Sequence, residues 1–159
     1  MSVDLYELDL GTLALFVGSA AAEAVQKELA AHGFDGLRVS HGYVFQHLVE
    51  DLPRTIGELA RKMEVTQQAA SKVVAELEGL GYVERVPDPR DARIRRVRLT
   101  GRGHAAVGAA RRARAAQEER LVARGGRERL EECRAVLAEL LEELSGAGAV
   151  RRREVRPPR

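Results

Sequence analysis

Between Pro87 and Thr100 the chain places five arginines in fourteen residues, PDPRDARIRRVRLT, around a turn-forming Pro-Asp-Pro. Upstream of this run stand Gln67, Gln68, Ser71 and Lys72. A glutamine amide can pair bidentately with adenine, while serine and lysine suit phosphate or guanine. Arginine suits the narrow, strongly negative minor groove of A·T-rich duplexes. A run of charge alone is a solvated surface, and glutamine alone is a sound first-turn helix residue, so the weight falls on what surrounds them.

Other chemistries find little support. There is no G-x-S-x-G, no phosphate-cradling glycine loop and no H-E-x-x-H, and Gly101-Arg-Gly103 fits neither nucleotide fingerprint. No enzyme, cofactor or metal is expected. Cys133 is the only cysteine, which excludes an intrachain disulfide and a cysteine-based zinc cluster. Its helical spacing from Leu130, Leu137 and Leu140 predicts a small buried apolar residue rather than a reactive thiol. His41 and His47, six residues apart, fall about 120° out of phase on a helix and cannot chelate as neighbours.

Charge is unevenly laid out. Residues 1–60 carry nine acidic and three basic side chains, whereas residues 85–114 carry ten arginines against Asp88 and Asp91. Arginine outnumbers lysine 23 to 3 over the whole chain, so it is the clustering that points to a polyanionic partner. The apolar run Leu13–Ala22 is shorter than the ~20 residues a membrane crossing needs. Acidic residues precede it instead of the basic flank of a signal peptide, so the expected location is the cytoplasm and no membrane partner is expected.

The elements that must position these residues follow from periodicity and caps. Leu13, Val17, Ala20 and Ala24 mark one face of a helix between Leu5 and about Ala31. Gly33-Phe-Asp-Gly36 is a loop, and Ser40 is placed to cap a helix carrying Tyr43, Val44, His47 and Leu48. Thr55-Ile-Gly-Glu58 is a capping box opening a helix to about Met63. Thr66 then caps a helix with the apolar stripe Ala70, Val73, Val74 and Leu77, ending at Gly79-Leu-Gly81. Residues 82–86 and 94–99 predict two strands flanking the arginine-rich turn, with Arg95, Val97 and Leu99 on one side of the second strand. Thr100 caps a long helix to about Ala123, and Gly125-Gly126 breaks it. The last helix sets Leu130, Cys133, Leu137, Leu140 and Leu144 in an a/d seam. Two helices joined by a tight turn and followed by a charged hairpin make a winged helix.

On these residues the chain resembles the MarR family of winged-helix transcription regulators. The matching run is TIGELARKMEVTQQAASKVVAELEGLGYVERVPDPRDARIRRVRLTGRG, Thr55–Gly103, within a resemblance over roughly residues 5–145. Its most specific pieces are Leu77-Glu78 with Gly81-Tyr-Val, Asp88-Pro-x-Asp-x-Arg93, and Leu99-Thr100. Ala92 departs from the arginine or glycine common at that place in the wing. The resemblance implies a mainly α fold with a small β-hairpin wing. It divides the chain into an N-terminal dimerisation helix (1–36), a winged helix-turn-helix lobe (37–100), C-terminal dimerisation helices (101–145) and a basic, disordered tail (146–159).

The resemblance further implies a homodimer, with Leu13 and Val17 interlaced with the seam of Leu130, Cys133, Leu137, Leu140 and Leu144. The expected partners are double-stranded DNA bearing a near-palindromic operator, a second copy of the chain and a small-molecule inducer. Thr66, Gln67, Gln68, Ser71 and Lys72 would meet the major groove. In the wing, Arg93 would enter the minor groove or contact the backbone, with Asp91 fixing its guanidinium by a bidentate pair, and Arg90 and Arg95 in support. Arg96 and Arg98 stay divided between DNA contact and an ordinary solvated strand face. Relatives that bind aromatic acids use a cleft that Tyr43, His47 and Arg111 would line here. Zinc-sensing relatives use histidine and glutamate, for which Glu23, His41 and His104 are only loosely placed. The cysteine near the N-terminus that peroxide sensors use is missing.

Two other readings remain open. A non-specific architectural binder would take scrambled duplexes almost as well as any operator. A winged-helix protein-interaction module would be expected to lose the polar helix turn and the basic wing.

Overall fold

The computed structural model describes residues 4–50, 52–144 and 147–151. A short 3-10 turn, Leu5–Glu7, precedes α1, Leu10–Ala31. Proline-free, alanine-rich sequence sustains this helix. Asp9 caps it, its carboxylate accepting from the Thr12 N–H at 2.9 Å. Then come α2 (His41–Leu48), α3 (Ile56–Met63) and α4 (Gln67–Gly79). Strands β1 (Val83–Pro87) and β2 (Arg95–Leu99) pair antiparallel, with Val83 opposite Leu99 and Pro87 opposite Arg95. Helices α5 (Gly101–Gly125), α6 (Arg127–Glu143) and α7 (Ala147–Arg151) complete the described chain. The mainly helical winged-helix class expected from the sequence is the class observed.

The capping box is formed as expected. The Glu58 N–H donates to Thr55 Oγ1 at 3.1 Å, and the Thr55 N–H donates to Glu58 Oε2 at 2.7 Å. Thr66 and Thr100 cap α4 and α5 through the N–H groups of Ala69 and Gly103, each at 3.1 Å. Ser40 does not behave as expected. It precedes α2 in a helical conformation, which turns its hydroxyl away from the orphan amides, and it makes no capping bond.

One core lies between α2, α3, α4, the hairpin and the start of α5, with Val44, Leu48, Leu59, Val74, Leu77, Tyr82 and Val97 essentially inaccessible. Tyr82 ties this lobe to the loop after α1. Its hydroxyl donates to the Asp35 carbonyl at 2.9 Å, and Arg102 lies 4.8 Å from its ring centroid while donating to the Gly33 carbonyl at 3.0 Å. Gly103 has to be glycine, because a Cβ there would stand 2.1 Å from the Tyr82 carbonyl oxygen.

Helix α1 packs along α5 through buried Val25 and Leu29, and Gln117 donates to the Ala21 carbonyl at 3.2 Å. Much of the remaining helical surface is apolar and open. Leu15, Phe16 and Val17 on α1 are 70%, 59% and 58% exposed, and Leu144 at the end of α6 is 70% exposed. Cys133 is exposed, contrary to the buried position predicted for it, because none of the described elements covers that side of α6. Residues 147–151, expected in a disordered tail, form α7, where Ala147 is buried and Arg151 pairs with Glu142. Residues 145, 146 and 152–159 of that tail lie outside the described residues. Among the described residues no helix is long and apolar enough to cross a membrane.

Candidate nucleic-acid interface

Helices α3 and α4 are joined by Glu64, Val65 and Thr66. Glu64 takes the left-handed conformation (φ 52°, ψ 43°), and its N–H closes back onto the Ala60 and Arg61 carbonyls. This αL residue, the one non-glycine with positive φ among the described residues, turns the chain sharply enough that only three residues separate α3 from α4. Ala70, Val74 and Leu77 anchor α4 in the core with no exposed surface. The same helical phase leaves Thr66, Gln67, Gln68 and Lys72 exposed and Ser71 half-buried at its N-terminal end. Gln67 lies back toward α3, its amide nitrogen 3.4 Å from where a Cβ on Gly57 would be. The free amides and dipole of a helix N-terminus add positive potential where these side chains project.

The hairpin turn is built by Asp88, whose role sequence reading missed. Its Oδ1 accepts from the N–H groups of Arg90 at 2.7 Å and Asp91 at 3.3 Å, and its Oδ2 pairs with Arg96. The Asp88 N–H donates to the Ile94 carbonyl at 2.9 Å, closing the loop. An aspartate between two prolines at the end of a strand is an Asx-turn signal, and it was available in the sequence. Hydrogen bonds from Arg96 foremost, then from the Arg90 N–H, hold the Asp88 carboxyl below its ordinary pKa.

Asp91 has a different role from the one expected. Its carboxylate accepts from the Arg93 backbone N–H at 3.0 Å, so it shapes the main chain, and the expected bidentate grip on the guanidinium is not what the structure records. A two-residue separation in a tight turn brings the carboxylate over the next amides, leaving the long arginine side chain to extend outward. Arg90, Arg93 and Arg95 are all exposed.

Arg96 and Arg98 are both committed within the fold. Arg96 donates to Glu58 Oε2 and to the Pro53 carbonyl, each at 3.1 Å, besides pairing with Asp88, and so fastens the wing to the start of α3. Arg98 pairs across the hairpin with Glu84 at 2.8 Å. Arg54 adds a bridge to the outer side of β2, exchanging backbone hydrogen bonds with Val97 at 3.0 and 2.7 Å. Its guanidinium also donates to the His47 carbonyl at 2.7 Å.

A cleft of about 470 Å³ opens behind this lobe, between α1, α2 and α5. Val25, Leu29, Tyr43, Phe45 and Val107 give it apolar walls. Arg38, Arg111 and Arg114 line it with no carboxylate among the lining residues. Gln26, also in the lining, has its Oε1 buried without a partner. Of the three residues expected here, Tyr43 and Arg111 line the cleft and His47 does not. The inward-facing phase of α2 puts His47 beside Leu48 in the core, with Nε2 buried and unpaired. Burial, then the positive charges of Lys62 and Arg54, hold its imidazole below the ordinary pKa of 6.5.

His41 is also buried, and burial lowers its pKa despite a partner in Glu76. Its Nδ1 accepts from the Arg38 N–H at 3.2 Å, and its Nε2 stands 3.4 and 3.2 Å from Arg38 Nε and Nη2 and 3.4 Å from Glu76 Oε2. Among the described residues no group of three or more His, Cys, Asp or Glu could hold a metal ion.

With this geometry in view, the comparisons with known proteins agree with the family resemblance. Residues 35–94, from the loop after α1 to the wing, match the sequence model of the MarR family. No curated protein sequence matches the chain. Among solved structures, a MarR family protein from Bacillus stearothermophilus superposes with a TM-score of 0.68 at 20% identity, covering 86% of this chain and 93% of that one. Streptococcus pneumoniae FabT in complex with DNA gives 0.64 at 20% identity, over 86% and 98%. S. aureus MepR bound to ethidium bromide gives 0.61 at 21% identity, over 87% and 99%. At these identities the likeness is one of fold.

Proposed function

We propose that this chain, with the MarR family's match across its winged-helix lobe and the family's fold along most of its length, is a dimeric, sequence-specific DNA-binding transcription regulator. The observation that carries the reading is a juxtaposition. The exposed turn of α4 (Thr66, Gln67, Gln68, Ser71, Lys72) and the exposed wing arginines (Arg90, Arg93, Arg95) stand on one lobe, with Asp91 shaping the loop between them. In this reading α4 enters the major groove and the wing reaches the adjacent minor groove. A protein-interaction module has no need of either the polar turn or the basic wing.

The dimer is supported by the apolar surface that the single chain leaves open. Residues 1–36 and 101–145 would interlace with those of a second copy, covering Leu13 and Val17 together with the seam from Leu130 to Leu144. Two lobes then present two α4 helices to half-sites about one helical turn apart, and the operator should be a near-palindrome. Repression released by a ligand follows if the cleft takes an effector. Its apolar walls and three arginines suit an apolar anion, and MepR is a relative in fold whose structure holds ethidium bromide.

Selection from a random duplex pool tests the function. The reading expects enrichment of one inverted repeat, bound by two copies of the chain. Retention of duplexes without any shared motif would favour an architectural binder instead.

A further inference from the structure

The winged lobe joins the rest of the chain twice, through residues 32–40 after α1 and through Thr100 before α5. Tyr82, buried where α4 passes into β1, touches both connections. Its hydroxyl donates to the Asp35 carbonyl at 2.9 Å, and its own carbonyl accepts from the Thr100 N–H at 3.0 Å. Arg102, on the first turn of α5, reaches back across the ring with its guanidinium 4.8 Å from the centroid. Its Nη2 donates to the Tyr82 hydroxyl at 3.2 Å and to the Gly33 carbonyl at 3.0 Å. The loop after α1 also presses on the end of α4, where a Cβ on Gly36 would stand 2.7 Å from Leu80 Cδ2. A cation on an aromatic face, flanked by these hydrogen bonds, ties the two connections to each other.

We infer that Arg102 and Tyr82 clasp the lobe at one angle to α1 and α5, and that this angle sets the separation of half-sites the protein accepts. This rests on the reading of the protein as a dimer on a two-part operator. The clasp stands at the far end of both DNA-facing features. From it α4 runs about 20 Å, at 1.5 Å per residue, to its exposed first turn. Strand β1 runs about 17 Å from Val83 toward the wing. Both distances exceed the ~8 Å Debye length at physiological salt, so the Arg102 charge is screened from the duplex. Its leverage is geometric. A tilt of about 5° at the clasp moves the far end of α4 by about 1.7 Å, and two lobes together by about one 3.4 Å base-pair step. Arg102 and Tyr82 are therefore positioning residues, acting on half-site spacing through the lobe they hold.

The test uses the whole protein and anisotropy on duplexes carrying the two half-sites found by selection. The spacer is lengthened or shortened a base pair at a time, and one further duplex carries a single half-site. Wild type should prefer one spacing over its neighbours by roughly tenfold. Arg102→Met keeps the side-chain stem and removes the donors and the charge. Tyr82→Phe keeps the ring and removes the hydroxyl, with no change of charge. Each should reduce the preference to roughly threefold or less by weakening the best spacing, because a lobe free to turn must be ordered on binding. Affinity for the single half-site, and its salt slope, should stay as in wild type. The double variant should be no broader in spacing than either single one, since the two side chains act as a unit.

A spacing preference as sharp as wild type in either single variant overturns the clasp while the two-part operator stands. So does an equal loss on the single half-site, which would place the defect inside the lobe, and so do effects that multiply in the double variant. Wild type that takes every spacing alike overturns the two-part operator itself, and the clasp with it. Thermal melting identifies a variant that fails to fold. Arg102 is exposed, so Arg102→Met then decides: a broadened preference supports the clasp and an unchanged one overturns it.

Discussion

Asp88 and Arg96 are paired across the base of the wing, and Arg96 continues to Glu58 Oε2 at 3.1 Å, so one guanidinium joins the turn, β2 and the start of α3. The exposed Arg90 and Arg93 are therefore carried on a loop whose backbone is fixed before any partner arrives. Pre-ordering of this kind lowers the entropic cost of binding. Asp88→Ala removes the acceptor of two loop amides and of Arg96. It should lower the urea midpoint and weaken operator binding by about tenfold, although no phosphate contact is lost and the salt slope should barely change. Urea titration and anisotropy across a salt series check both parts.

The contact between Gly103 and Tyr82 predicts a sharp contrast between neighbouring glycines. Gly103→Ala puts a methyl group into the Tyr82 carbonyl and should destabilise the lobe by about 1–3 kcal/mol or more, as overpacking does. Gly101→Ala meets nothing within 4 Å and should be neutral or stabilising by up to about 1 kcal/mol, through the better helix propensity of alanine. Urea denaturation of the two variants separates them.

Two buried histidines make the fold sensitive to mild acid. His41 and His47 both have folded-state pKa values below the ordinary 6.5, burial being the main cause in each. Above that pH both are neutral in the folded and unfolded chain and contribute no slope. Below it the unfolded chain takes up protons that the folded chain refuses, so stability falls as pH drops from 6.5 toward the folded-state values. Each histidine can add at most about 1.4 kcal/mol per pH unit over that window. His47→Gln should remove the His47 share of the slope, and urea midpoints between pH 8 and pH 5 would show whether it does.

Association through α6 is tested at Cys133, which is exposed in the single chain and so can be changed without touching its core. Cys133→Asp together with Leu144→Asp should leave a folded monomer. If each lobe neutralises about four phosphates, the slope of log affinity against log salt should drop from about −7 to about −3.5. Sedimentation and salt-dependent anisotropy test this. A variant that remains dimeric would place the interface elsewhere.

What was legible in the sequence was local. Thr55, Thr66 and Thr100 announce their helices because a cap needs only the next three residues, and the stripe from Ala70 to Leu77 needs only helical phase. Contacts between segments were not legible. Nothing within a few residues of Arg38 names Glu76, nothing near Tyr82 names Asp35, and Arg54 gives no sign that it will extend the hairpin. Arg96 was left undecided for the same reason, since its partners Asp88, Glu58 and Pro53 meet it only once the wing is folded back onto α3. Cys133 misled because an a/d spacing shows that a face is apolar without saying whether this chain or another one covers it.

The central claim is that α4 and the wing together recognise a particular duplex. The most direct measurement is anisotropy of wild type and Arg93→Ala on a duplex from upstream of the protein's own gene, beside a scrambled duplex, through a salt series. The account predicts a preference of about a thousandfold or more for the upstream duplex. Arg93→Ala should cost ~1–3 kcal/mol on it. Equal, steeply salt-dependent binding to both duplexes, with Arg93→Ala no different from any other lost surface charge, would contradict it.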